Sequence, residues 1–441
     1  MTPLPGLNER LNLAMQFEQS NEVLQAELLY IDILKDWPQS VDAATQLARL
    51  ALKRGDASRA VHFLEPTVQL HPTLEQPAVD LAVAYLAAGR PHEAVATLER
   101  SLLRAPQFFV AWLLLGNLRE AESDAPGAIK AWIQALTLAR RAGVWRDPQS
   151  TPSSLQGAVR HAVGKLREAR RQLLFASFED LRQEHGGAAL ARVDRALAGY
   201  LREWDATPLD PRQRPRFFFF PGLPNQPYHD PFLQPWASRL QAAFTAIRAE
   251  AVQLLAEDRP FQNFIDFREG VQPQDYLKGH GFDPVWEAFF FYRHGERFDA
   301  NHARCPKTSE MLESIDLCRI AGDAPEICFS VLRPGSEILP HHGVTNVRLV
   351  VHLPLVVPED CALNLIGAET HQWQEGRLVM FDDTFQHEAW NRSSATRVVL
   401  LMDCWNPHLT PVERRAVKQL IETIGALSVA SRSHEAARYG G

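Results

Sequence analysis

The 441-residue chain has little cysteine: five residues, all between Cys305 and Cys404, an odd number with no C-x-x-C pair. A disulfide framework is not expected, and free thiols in a reducing, cytoplasmic compartment are. A basic surplus is missing too. The 46 Lys+Arg stand against 53 Asp+Glu, a formal charge of −7. Proteins that grip phosphate backbones carry excess positive charge, so nucleic acid is not an expected partner. Long apolar runs are also absent. The aromatic stretch FFFFPGLP at 217–224 is short and ends in prolines, far below the ~18 residues that would read as a membrane span. The first twenty residues show no basic segment leading into an apolar one, so no secretory leader is expected. What is present is ordinary globular material. With 46% hydrophobic residues the chain can bury more than one core, and its length allows roughly three domains.

The first third repeats itself. Ala14, Ala48, Ala82 and Gly116 are each 34 residues apart, as are Ala26, Ala60, Ala94 and Ala128. Pro38, Pro72 and Pro106 keep the same step, and Gly55 and Gly89 fall one period apart. Between these marks apolar residues recur at three- and four-residue steps, as in LARLALKRGDASRAVHFLEPTVQLHP. Each unit therefore reads as two helices joined by a Gly-containing turn. Small residues mark close helix approach, and proline closes the second helix. The pattern resembles the tetratricopeptide repeat, with units at about 7–40, 41–74, 75–108 and 109–142. No single unit can bury its apolar face, so the stack shares a continuous core. The resemblance implies a concave groove for a peptide or protein partner. Scaffolding or homo-oligomerisation is the alternative use of such a stack.

Residues 143–205 read as a helical connector that caps the repeats: GVWRDPQSTPSS is a turn-rich break, and two helical stretches follow. After 205, prolines and aromatics cluster. A short helical stretch at 238–257 precedes segments rich in β-branched and aromatic residues, among them EAFFFYR, EICFSVLR, NVRLVVHLPLVV and TRVVLLMDCW. Several short strands separated by turn residues predict an all-β sandwich or barrel over 206–425. A helix opened by Thr410 and Pro411 follows, then a flexible tail at 426–441.

Histidines concentrate in the β region: His341, His342, His352, His371 and His387. His352 lies in a strand, eleven residues after His341, and Arg397 comes ten residues after His387. Two imidazoles from different strands plus a buried arginine suit a transition metal bearing an organic acid. A single histidine in a β domain is more often a structural group; the set carries the argument.

The set sits in recognisable text. PHHGVTNVRLVVHLPLVVP, then W-x-x-G-x-x-x-x-FDDTFQHEAWN, then R-x-x-x-x-x-D-x-W-x-P closely resembles the aspartyl/asparaginyl β-hydroxylase family, with YRHGERFDANHARCPKT and FFFPGLP matching upstream. The resemblance covers roughly 215–420. It implies a double-stranded β-helix (cupin-like jelly roll) that uses Fe(II), O2 and 2-oxoglutarate to hydroxylate the β-carbon of an Asp or Asn. It implies His341 and His387 as metal ligands, with no catalytic residue beyond the metal centre. It implies Arg397 on the distal carboxylate of 2-oxoglutarate, with His352 and Ser330 as further cosubstrate contacts. Gly343 stands where most iron oxygenases place a carboxylate ligand; the resemblance implies that this family lacks that carboxylate, so the glycine follows the family pattern and the metal has two protein ligands. One position departs from the animal members: Val350 replaces a basic residue that contacts the metal-side carboxylate. Arg348, two residues earlier on the same strand face, is expected to take over that charge. Asp382 and Asp383 are expected to accept hydrogen bonds at the turn and orient His387, rather than supply a third ligand. The expected architecture is thus an α-helical repeat stack followed by a mainly-β oxygenase domain. Competing readings are a hydroxylase of lipid acyl chains or of a peptide natural product, a repeat protein with an inactive barrel, and a metal-dependent isomerase or hydrolase of the same fold.

Overall fold

The computed structural model describes residues 6–257, 261–265, 273–280 and 283–436, with backbone alone for 429–436. It divides into two compact units, residues 1–170 and 171–441.

The first unit is built of helix pairs: α1 (Leu7–Gln19) with α2 (Val23–Asp36), α3 (Val41–Lys53) with α4 (Ala57–Leu70), α5 (Glu75–Ala87) with α6 (Pro91–Arg104), and α7 (Phe109–Ala121) with α8 (Ala125–Arg141). Their bounds reproduce the 34-residue units. The second helix of each of the first three pairs stops two residues before Pro38, Pro72 or Pro106, because the residue preceding proline is pushed out of the helical region. The turn position Asn21, Gly55, Gly89 and Ser123 takes positive φ in all four units, so the backbone keeps the period where glycine is lost. The repeated alanines are fully buried between helices. At Gly116 a Cβ would run into the Trp132 indole, which is why that place in the fourth unit has no side chain at all.

The boundary differs from the expected connector. It falls inside α9 (Gln156–Ala176). Val159 and Ala162 of α9 pack with the fourth repeat, and His161 and Lys165 both reach Glu120, at 2.5 and 2.8 Å. Leu174 belongs instead to a cluster with α10 (Glu179–His185) and α11 (Ala191–Tyr200) in the second unit. The segment 143–205 is thus shared by two cores, because its apolar residues switch partners midway.

The second unit continues with β1 (Tyr228–His229), α12 (Ala237–Ala242), α13 (Phe244–Leu255), β2 (Gln262–Asn263), β3 (Leu277–Gly279), β4 (Trp286–Arg293), β5 (Glu296–Arg297), α14 (Asp299–Arg304) and α15 (Pro306–Glu313). Then follow β6 (Ile327–Leu332), β7 (Ser336–His341), β8 (Arg348–Val356), β9 (Cys361–Leu365), β10 (Thr370–Gln372), β11 (Val379–Phe381), β12 (His387–Asn391), β13 (Arg397–Trp405) and α16 (Pro411–Ala436). Among the described residues the strands form two antiparallel sheets, in the orders β1-β11-β8-β13-β6-β4-β2 (β5 pairing with β4) and β10-β9-β12-β7-β3. From β6 to β13 the chain passes between the sheets so that β11-β8-β13-β6 faces β10-β9-β12-β7, the double-stranded β-helix order. Leu332, Ile338, Leu363, Phe381 and Ala389 interdigitate between the sheets. The far side of the larger sheet is covered by Trp236, Leu240, Ile247 and Leu254 of the helical segments. Strands buried on both faces explain the unbroken apolar runs in the sequence.

All five cysteines are buried free thiols. The C-terminal helix opens with a capping box: Glu413 N–H donates to Thr410 Oγ1 at 3.2 Å, and Thr410 N–H donates to Glu413 at 2.9 Å. That helix runs to Ala436, so 426–436, expected as tail, is helical; 437–441 lie outside the described residues. No helix among the described residues is long and apolar enough to cross a membrane.

Candidate active site

His341 ends β7 and His387 begins β12. The antiparallel register sets them directly opposite, with ring centroids 4.1 Å apart. Each ring is anchored in the same way. His341 Nδ1 lies 2.8 Å from the Leu339 carbonyl, and His387 Nδ1 lies 3.0 Å from the Phe385 carbonyl. A ring donating Nδ1–H keeps its lone pair on Nε2, the form a metal needs. Burial, then the neighbouring imidazole, lowers the His387 pKa to about 3. Burial lowers that of His341 as well. Both rings stay neutral at ordinary pH. Among the described residues no third His, Cys, Asp or Glu completes a metal-binding group with them.

The two rings line a cavity of about 380 Å³ between the sheets, and Ser330, Arg348, His352, Asp383 and Arg397 line it too. All seven residues singled out in the sequence therefore meet in one place. Strand parity puts them there. Arg348, Val350 and His352 alternate onto the inner face of β8, and Arg397, Leu401 and Asp403 onto that of β13.

Arg397 is 2% exposed. It donates to the Ser330 carbonyl and hydroxyl at 3.2 and 3.3 Å, and lies 5.0 Å over the Trp373 ring. Its Nε has no partner, and burial lowers its pKa to about 10. His352 is 6% exposed, and neither ring nitrogen is hydrogen-bonded. Burial, then the charge of Arg397, depresses its pKa strongly. Leaving such groups unpaired costs ~1–3 kcal/mol each, so a cavity that keeps them is shaped for a polar ligand. The Ser330 hydroxyl receives Arg397 and, at 3.0 Å, Trp286 Nε1. Its own proton stays available to a ligand. The donor set therefore fits both a two-histidine metal and an acid lying between metal and arginine.

Two expectations change. Arg348 reaches the cavity wall, but its guanidinium is already paired. It donates to Asp403 at 2.6 Å and meets Asp323 at 3.2 Å. Burial opposes its charge; Asp403 and Asp323 more than restore it, and its pKa is raised. The two aspartates also divide their work. Asp382 organises the turn, accepting Thr384 N–H at 2.9 Å and Gln213 Nε2 at 2.7 Å. Asp383 stands on the cavity wall, its carboxylate against Gly343 where a Cβ would collide. Burial, then Asp382 and Asp403, pushes the Asp383 carboxyl up to about 8. The His387 ring is oriented by the Phe385 carbonyl rather than by either carboxylate.

Trp286, Trp373, Asp323, Glu326 and Asp403 were not assigned from the sequence. Asp403 could have been: it lies six residues after Arg397 on one strand, hence on the same face. Asp323 and Glu326 precede β6 in a loop that carries no pattern.

Known proteins point the same way. The family model described as "Aspartyl/Asparaginyl beta-hydroxylase" matches residues 241–407, and a tetratricopeptide repeat model matches 51–118. "Aspartate beta-hydroxylase domain-containing protein 2" of Mus musculus is 31% identical over 57% of this chain and 71% of its own length. "Aspartyl/asparaginyl beta-hydroxylase" of Mus musculus is 33% identical over 42% of this chain, which spans only 25% of that protein. "Ornithine lipid ester-linked acyl 2-hydroxylase" of Rhizobium tropici is 33% identical over 43% of this chain and 64% of its own length. The paired imidazoles, the buried arginine facing them and these shared sequences lead to one conclusion: the chain belongs to the aspartyl/asparaginyl β-hydroxylase family, with tetratricopeptide repeats ahead of the hydroxylase domain.

Proposed function

We propose that the chain is an Fe(II)- and 2-oxoglutarate-dependent dioxygenase that hydroxylates the β-carbon of an Asp or Asn in a peptide or protein. The observation that carries this reading is the joining of His341, His387, His352 and Arg397 in one buried cavity. Iron, when bound, supplies the activation of dioxygen that no side chain here can provide. His341 and His387 would hold it through Nε2. Arg397 would fork onto the far carboxylate of 2-oxoglutarate, helped by the Ser330 hydroxyl and His352. Trp373 beneath the guanidinium and Trp286 behind the hydroxyl position these groups. Val350, Leu363 and Phe381 give the cavity part of an apolar wall. Arg348, held by two aspartates, leaves the near carboxylate of the keto acid to the metal. The helical repeats would recruit the protein that bears the target residue.

A second reading follows from the ornithine-lipid relative: the same centre would hydroxylate an acyl chain. The repeat stack favours the polypeptide.

The test is an anaerobic titration with Fe(II) and 2-oxoglutarate, followed through the weak visible band of a metal-chelated keto acid. A band in the parent, lost in His387→Ala and weakened in Arg397→Ala, supports the assignment. No band in a folded protein at saturating iron rejects it.

A further inference from the structure

We propose that Gln213 is a positioning residue for the metal pair: as the buried anchor of a strap laid against both histidine-bearing segments, it holds the turn that orients His387. The proposal rests on the two-histidine centre of the hydroxylase reading and adds to it a residue that touches neither the metal nor the cosubstrate.

The strap is residues 213–218. It lies against two segments far from it in sequence. Gln213 bridges antiparallel to Phe385, and Phe218 bridges parallel to Thr345. Its backbone donates to both sides. Arg214 N–H reaches the Thr384 carbonyl at 2.8 Å, and Arg216 N–H reaches that of Gly343 at 3.1 Å. The N–H groups of Phe217 and Phe218 share the Val344 carbonyl, at 2.9 and 3.1 Å. Residues 343–345 follow shortly after His341, and 382–385 lead into His387. These two segments also meet each other, since Gly343 N–H donates to the Asp383 carbonyl at 2.6 Å. One strap therefore ties the segment that leaves the first imidazole to the turn that delivers the second.

Gln213 is the place where a side chain makes this tie. It is 1% exposed, as is Asp382. Both ends of its amide are used. Nε2 donates to Asp382 Oδ2 at 2.7 Å, and Oε1 accepts from Asn225 Nδ2. The other oxygen of Asp382 accepts Thr384 N–H, and Asp382 N–H donates to the Pro227 carbonyl at 2.9 Å. Solvent cannot readily stand in for a lost partner at this burial, so a change at Gln213 passes to the turn. The same turn carries Phe385, whose carbonyl fixes the His387 ring. Outer partners of this kind orient a metal's ligands without touching the metal.

The test uses the full chain and four variants. Gln213→Glu sets a second carboxylate against Asp382. Gln213→Glu/Asp382→Asn reverses the hydrogen bond: the new amide donates to the new carboxylate, which still accepts from Asn225, and Thr384 N–H keeps its acceptor. Gln213→Met keeps the shape and loses both bonds, and it carries the comparison should Gln213→Glu not fold. Gln234→Met is the control, a buried amide that donates to the Trp405 carbonyl at 2.7 Å and, among the described residues, makes no bond to the turn. Two quantities are read: Mn(II) affinity by competition with a chelator, and the His387 tautomer by nitrogen NMR of the metal-free protein. We expect Gln213→Glu and Gln213→Met to lose about tenfold or more in Mn(II) affinity. His387 becomes a mixture of tautomers in both, where the parent shows Nδ1–H alone. The double substitution recovers most of the affinity and the single tautomer, and Gln234→Met changes neither. Parental values in Gln213→Met, no recovery in the double substitution, or an equal loss in Gln234→Met overturns the proposal. The keto-acid band recorded in parallel with Fe(II) keeps the two readings apart. With the band present in the parent, a failed expectation removes only the role of Gln213. With no band the hydroxylase reading falls, and the tautomer in the metal-free protein still decides for or against Gln213.

Discussion

His341 and His387 are register partners across β7 and β12, and each ring is fixed by the carbonyl two residues before it. The backbone that pairs the strands therefore also sets both tautomers. Removing either ring leaves one imidazole and no replacement donor. Metal affinity in His341→Ala is expected to fall by more than the roughly 10–100-fold typical of outer-shell changes, measured by competition with a chelator.

Arg397 is a geometric as well as an electrostatic partner. Lys keeps the charge but loses the fork, the contacts to Ser330 and the stacking on Trp373. Arg397→Lys is expected to weaken 2-oxoglutarate about 10–100-fold, with Fe(II) affinity in the absence of the keto acid unchanged. Equal 2-oxoglutarate affinities in parent and variant would remove the fork from the account.

Gly343 and Asp383 compete for one volume. Gly343→Ala places a methyl group against the Asp383 carboxylate, and overpacking of this kind costs ~1–3 kcal/mol. In Asp383→Ala the space is open, so Gly343→Ala in that background is expected to be close to neutral. Thermal unfolding of the four proteins of the cycle measures the coupling. Additive losses would mean that the two residues do not share this space.

Glu326 makes stability depend on pH. Burial, then Asp403, raises its pKa from 4.5 to about 7. The folded protein thus holds a proton that the unfolded chain releases. The resulting penalty is absent below the unfolded value, grows as pH rises through this window and is complete above about 7. Glu326→Gln is expected to stabilise by ~1–3 kcal/mol above pH ~8 and by nothing below pH ~4. Urea unfolding at the two pH values checks the sign.

In the first unit Gly116 faces the Trp132 indole, whose Nε1 donates to Asn117 at 3.0 Å. Gly116→Ala must displace that ring. A loss of ~1–3 kcal/mol is expected in that unit's unfolding, with the keto-acid band untouched. A destabilised band would tie the two units together energetically.

Much of this protein was legible in its sequence. The 34-residue period lies in residues whose neighbours along the chain decide their conformation, so Ala48, Pro72 and Gly89 announced helix pairs unaided. Strand parity likewise placed His352 with Arg348, and the resemblance to the family's motifs singled out His341, His387 and Arg397. What only the tertiary structure decided is what each charged group pairs with. Arg348 was expected to serve the cosubstrate, yet Asp403, 55 residues later, and Asp323 in a patternless loop hold it. The division of labour between Asp382 and Asp383 depends on which one faces Gln213 and which one Gly343. The expected connector is shared by two cores because α9 changes partners along its length. Periodicity reports which face of an element is buried. Which charge meets which depends on strand register and loop placement across long separations, and no local pattern in the chain records it.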